Sequence, residues 1–261
     1  MEFAFQLVRP HRALKFLPGL MVVFVLFLLW RHGPIQQFDH YHEFADQAYW
    51  LGISHARDVF SNFAFLLVGL WGLQQFMYHW SSVKDHRRPA LLSFIFSIIA
   101  TAWCSSYYHL APDDVRLFWD RLPIATACAS LIVLMRPTIK MSLPTAWSEL
   151  LLALILAVLS VWWWQYSSDL RAYLVLQIFA ILLPPLWQYL GQAPQHERMS
   201  FGLAIGLYVL AKVFELADVA ILDAIGVISG HSLKHLLAAL AAYFIVCPWI
   251  HPWRRRLLPL Q

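Results

Sequence analysis

The sequence predicts an all-α polytopic integral membrane protein, a seven-helix transmembrane core with one extra N-terminal transmembrane helix. Composition and the spacing of apolar runs both point that way. The 261 residues are 60% hydrophobic and 13% charged, against about 45–50% and about 25% in a soluble domain. Runs of about 20 apolar residues, each long enough to span a bilayer as a helix, use up most of the chain and leave no room for a separate soluble domain.

The first run, 14–30, follows Arg9, Arg12 and Lys15 as in a signal peptide. No small-residue cleavage site follows Trp30, Arg31 and His32, so it reads as a retained anchor. Residues 1–45 are then anchor and connecting loop, and 46–261 the core. The core runs are 58–78, 90–109, 118–135, 147–165, 172–190, 200–220 and 232–250. At the opening of the first of these, Asp46, His55, Asp58 and Asn62 are placed either to cap a helix start or to bind an accessory hard cation, and capping is favoured. Trp162, Trp163, Trp164 and Tyr166, with Trp249 and Trp253, fit an interfacial aromatic belt. Pro184 and Pro185 remove backbone donors, so a kink is expected there. Lys212 and Glu215, three apart and followed by Asp218, are expected to neutralise each other.

Charge fixes the expected orientation. Twelve basic residues fall on one side (Arg9, Arg12, Lys15, Lys84, Arg87, Arg88, Arg136, Lys140, Arg198, Arg254, Arg255, Arg256) and four on the other (Arg31, Arg57, Arg116, Arg171). Both termini are then cytoplasmic, and the even number of spans, which puts them on one side, agrees. Arg121, Lys212 and Lys234 remain within or beside spans. The net charge of +4 is scattered over short loops and forms no stripe, which excludes a nucleic-acid surface. Cys104, Cys128 and Cys247 show no metal or disulfide spacing and read as small core residues.

The chemistry concentrates in histidine. His231 and His235, four apart at the start of the last run, project from one helix face and suit a shared metal. His109, at the end of the third run, is predicted at the same leaflet. Three imidazoles leave one tetrahedral position open, the arrangement of a catalytic zinc site. Ser105, one turn before His109, shares its face, whereas Ser106 is turned about 100° away. Asp120 opens the next run, placed either to act as general base or to be balanced by Arg121. His32, His40, His42, His79, His86, His196 and His251 have no metal spacing, and the His40-Tyr41-His42 loop is expected to be solvated.

These residues resemble the alkaline ceramidase family, within a broader superfamily of seven-span membrane hydrolases that includes adiponectin-type receptors and lipid-remodelling Per1-like proteins. Three blocks carry the likeness. They are Ser61-Asn62-Phe63-Ala64-Phe65; Ser105-Ser106-Tyr107-Tyr108-His109 with Trp119-Asp120-Arg121-Leu122-Pro123; and Ser229-Gly230-His231-Ser232-Leu233-Lys234-His235. Together they cover roughly residues 46–250, and their wording is closest to bacterial members, which implies a cell inner membrane. The resemblance implies zinc on His109, His231 and His235, with Ser105 and Asp120 beside it, and a core that starts at the second run. It also raises calcium as a second cofactor. The acidic, Trp-rich segment that supplies the calcium site in animal members is not reproduced, and His55 stands where an acidic ligand is expected.

The expected activity is zinc-dependent hydrolysis of the amide of a ceramide-like lipid drawn from the bilayer, giving a long-chain base and a fatty acid. Ester hydrolysis or acyl remodelling of a glycerolipid is the alternative within enzymes, and a non-catalytic zinc-containing lipid receptor the alternative outside them. Metal transport is disfavoured because the polar residues gather at one end of the spans.

Overall fold

The computed structural model describes residues 12–137 and 142–250. Arg9, Lys140, His251, Trp253, Arg254, Arg255 and Arg256 lie outside the described residues. Eight apolar stretches are long enough to cross a membrane, and among the described residues the only β pairing is an isolated bridge between Trp50 and Ile53. The protein is an all-α, membrane-embedded bundle.

The helices are α1 (Leu17–His32), α2 (Ala56–Ser61), α3 (Phe63–Tyr78), α4 (Arg88–Leu110), α5 (Asp114–Met135), α6 (Leu143–Ser167), α7 (Arg171–Leu190), α8 (Gln195–Leu216), α9 (Asp218–Ile225) and α10 (Gly230–Ile250). Most exceed the apolar runs at one end or both, because polar caps start helices before hydrophobicity does. Asp113 accepts the Arg116 N–H at 2.7 Å to start α5, and Ser142 accepts the Thr145 N–H to start α6. Helix α7 runs unbroken through Pro184 and Pro185.

The sequence reading missed two breaks. The second run divides at Asn62, between α2 and α3. The seventh does not continue to residue 220: α8 ends at Leu216, and α9 follows as a separate two-turn helix. Hydropathy stays high through that corner, so periodicity could not mark it. Side-chain hydrogen bonds do, through the Asp218 carboxylate described below.

Helices α3, α4, α5, α7, α8 and α10 pack in a closed circuit, with α6 outside against α5 and α7, and α1 outside against α7. Phe65, Leu91, Phe94, Ile98, Leu131, Leu134, Val246 and Trp249 fill one end of the interior. Phe44, Tyr108, Leu117, Val161, Trp164 and Tyr173 fill the other. Helix α1 buries only Val25; the loop after it is pinned where Ile35 donates to Asp169 at 3.1 Å and accepts from Leu170 at 2.8 Å.

The aromatic belt is only partly as expected. Trp162, Trp163 and Tyr166 are exposed, but Trp164 and Trp249 are buried. Trp164 carries the Arg121 guanidinium 3.8 Å above its ring, and Trp249 carries that of Arg87 at 4.6 Å. A tryptophan run on a helix necessarily turns one ring inward, and here that ring supports a buried cation.

Candidate metal centre

The centre is assembled around the first turn of α10. Ser229, fully buried, caps that turn: its hydroxyl accepts the Ser232 N–H at 2.8 Å. The Ser229 and Ser232 hydroxyls both donate to Asp58 Oδ1, at 2.8 and 2.6 Å. Asp218 accepts the His231 N–H at 2.7 Å on one oxygen and the Ala45 N–H at 2.9 Å on the other. Gly230 makes this close approach feasible. A Cβ there would fall on the Phe214 carbonyl oxygen and lie 2.7 Å from Asp218 Cα.

Helix α10 thus presents His231 and His235 on one face, and α4 brings His109 opposite. All three are buried. Ring centroids are 4.8 Å apart for His109 and His231, 5.0 Å for His109 and His235, and 4.7 Å for His231 and His235. One nitrogen from each ring lies within 4.8 Å of the others. Around zinc, with bonds of about 2.0–2.1 Å, tetrahedral nitrogens sit about 3.3 Å apart, so small side-chain rotations close the set. The His109 Nδ1 atom is buried without a hydrogen-bond partner. Three neutral nitrogen donors with one side open suit zinc.

Neighbours orient the rings. His235 Nδ1 lies 2.7 Å from the Ser61 hydroxyl, whose own proton goes to the Asp58 carbonyl at 2.7 Å. Nδ1 therefore carries the hydrogen, leaving Nε2 as the free donor, the arrangement common to metal-binding histidines. Phe44 wedges against His109 and His231, with ring centroids 4.6 and 4.5 Å away. Lys234 donates to His231 Nε2 at 3.2 Å and to Glu215 at 2.7 Å. Glu215 also pairs with Lys212 at 2.6 Å, the neutralisation expected from their spacing.

Ser105 and Asp120 meet beside this set. Both are buried and line the same end of a cavity. Asp120 Oδ1 has no hydrogen-bond partner. Arg121 turns away to Trp164 and does not pair with Asp120. Ser106 instead donates to the Val59 carbonyl at 3.3 Å.

The Asp46 group behaves as a cap. Asp46 accepts N–H groups from Ala48, Arg57 and Asp58 at 3.0, 2.8 and 3.1 Å, which starts α2. Asp58 Oδ2 and Asn62 Oδ1 are buried without partners. Two free oxygens fall short of the six to eight that calcium takes, so these residues do not fit a calcium site.

The loop before α2 supplies contacts that sequence reasoning did not assign. His42 is not merely solvated: its ring nitrogens lie 2.9 Å from the Tyr108 hydroxyl and 3.2 Å from Asp114. Tyr41 and Gln37 line a cavity of about 510 Å³ that runs down the bundle. Its polar end includes Ser105, Asp120, Arg121, Lys212, Glu215, Lys234 and His235. Its depth is apolar, with Phe94, Ile98, Leu131, Ala180, Phe201 and Ile245.

No protein-family model matches the chain, and no curated protein matches it.

Proposed function

We propose that the protein is a zinc-dependent intramembrane amidase that hydrolyses the N-acyl bond of a ceramide-like lipid to a long-chain base and a fatty acid. One observation carries this reading. Three buried imidazoles converge, and one of them, His235, lines the polar end of a long apolar cavity together with Asp120, whose Oδ1 has no hydrogen-bond partner. Such a cavity takes an acyl chain and leaves the scissile carbonyl at the polar end.

His109, His231 and His235 would hold a zinc ion, which when bound would supply a Lewis acid for the carbonyl and lower the pKa of a water to about 7. Asp120, with Oδ1 free, takes the proton of the attacking water and returns it to the departing amine. Ser105 donates a hydrogen bond to the oxyanion that develops on the carbonyl. Loss of a donor of that kind costs about 2.7–4 kcal/mol in the transition state. Burial excludes bulk water, which strengthens each of these interactions.

The positive-inside distribution supports cytoplasmic termini and a site near the outer leaflet. The test is direct. Detergent-purified protein, incubated with a mixed lipid extract with and without chelator, should consume a ceramide-like amide only when metal is present, as read by mass spectrometry. Asp120→Asn should abolish turnover while metal content stays near one zinc per chain. Consumption of esters alone would replace the amidase with the glycerolipid hydrolase. Tight lipid binding without turnover would replace it with the receptor.

A further inference from the structure

Arg121 is the buried charge that the chemistry above does not use. It is 3% exposed and lines the polar end of the cavity beside Gln37 and Tyr41. Its guanidinium lies 3.8 Å over the Trp164 ring, with Tyr41 and Tyr173 at 5.3 and 5.4 Å. Among the described residues its one hydrogen bond goes to Gln37 at 2.6 Å, and its Nε and Nη1 have no partner. Among the described residues no carboxylate lies within ion-pair distance of it, and the Asp120 charge acts on it only from further away. The contrast with Lys212 and Lys234 is sharp, since both are paired to Glu215. Arginine cannot shed its proton to relieve burial. A buried charge is strongly unfavourable unless paired, and stacking on an aromatic face offsets only part of that cost.

The cavity's ionisable lining has the same bias. Arg121, Lys212 and Lys234 face two carboxylates, Asp120 and Glu215, so one positive charge is left over before any metal is counted. Two guanidinium nitrogens without partners, on a group fixed over a ring, are suited to a planar or tetrahedral oxyanion.

We propose that Arg121 recognises the headgroup of the bound lipid, and that this headgroup carries an anionic phosphate, sulfonate or carboxylate. The proposal rests on the lipid-binding reading of the cavity and not on turnover. It narrows the substrate class from neutral ceramide-like amides to acidic ones, and it makes Arg121 the residue that selects them.

The experiment is a binding measurement on the full chain in non-ionic detergent, with ligands that contain no hydrolysable acyl bond. The first pair is 1-O-hexadecylglycerol and its 3-phosphate; the third ligand is palmitate. Wild-type protein should bind the phosphate on the order of 30-fold more tightly than the neutral ether, the scale of a desolvated charge pair. Arg121→Gln should erase that preference while binding the neutral ether as before, and Arg121→Lys should keep part of it. Equal wild-type affinity for the two ethers overturns the proposal even if no Arg121 variant folds. Palmitate that matches the phosphate in affinity and in Arg121 dependence also overturns it, because the arginine would then hold a product carboxylate and not a headgroup. Hydrolysis of neutral amides without anionic preference would remove this inference and leave the amidase intact. Anionic preference in a protein that hydrolyses nothing would do the reverse.

Discussion

Ser61→Ala removes a group that belongs to none of the candidate ligands yet fixes one of them, His235. In the native arrangement the Ser61 oxygen accepts from His235 Nδ1 at 2.7 Å and donates to the Asp58 carbonyl at 2.7 Å. The substitution leaves that carbonyl satisfied, because Asn62 Nδ2 also donates to it at 3.0 Å. The loss therefore falls on His235, whose ring is free to rotate and to change tautomer. Removing a group that orients a metal-binding histidine costs about 10- to 100-fold in metal affinity, or about 1.4–2.7 kcal/mol. The expectation is a loss of at least about tenfold. The assay is a competition titration of zinc against a chromophoric chelator, using the full chain in detergent. Ser61→Thr keeps the hydroxyl and should titrate like wild type. If Ser61→Ala binds zinc as tightly as wild type, His235 is not a ligand through Nε2 and the proposed coordination fails.

Other perturbations test different links of the argument. Gly230→Ala drives a methyl against backbone at Phe214 and Asp218, so it should destabilise the fold by about 1–3 kcal/mol and weaken zinc binding, both readable by thermal unfolding with and without metal. Burial alone would raise the pKa of the Asp169 carboxyl, but hydrogen bonds from Arg171 and the Ile35 N–H outweigh it and hold the group below the ordinary carboxylate range. A lowered folded-state pKa contributes stability that is fully present above the unfolded value of about 3.9 and fades as pH falls through the folded one. Thermal unfolding between pH 6 and pH 2, each about, should therefore show an acid-limb loss that Asp169→Asn diminishes. Leu131→Trp, deep in the cavity, should shorten the longest acyl chain that binds, as measured with a series of chain lengths.

The sequence revealed what is written locally. Long apolar runs gave eight spans, and four-residue spacings placed Ser105 with His109 and His231 with His235, because 3.6 residues per turn repeats within a single helix. Ser105 and Asp120, though on different helices, were also legible, since consecutive spans bring their shared end together. The rest depends on contacts distant in sequence. Ser61 reaches His235 across 174 positions and Gln37 reaches Arg121 across 84, and no periodicity encodes either. Phe44 and Tyr41 were hidden in a segment read as a mere connector. Two signals were present all the same: a glycine directly before a candidate ligand marks close backbone approach, as Gly230 proves to, and an arginine inside a span without an acid one turn away, as at Arg121, marks a partner from elsewhere.

The same hydrogen bonds that end one helix and start the next also aim the candidate ligands. Asp218 sits at the α8–α9 corner and accepts the His231 N–H, so the end of the seventh span sets the first turn of the eighth. Asp58, one turn into α2, accepts the two serine hydroxyls flanking His231, and its carbonyl takes the Ser61 hydroxyl that faces His235. Asp46 in turn holds the N-terminus of α2. Three carboxylates thus surround the positive ends of two helix dipoles, where negative charge is stabilising. Hydrogen bonds to charged groups are worth about 1.5–3 kcal/mol each, so the α10 start is held by several independent contacts and not by packing alone. A ring on that turn cannot rotate far without breaking a cap, which is how histidines stay converged at membrane depth before any ion joins them.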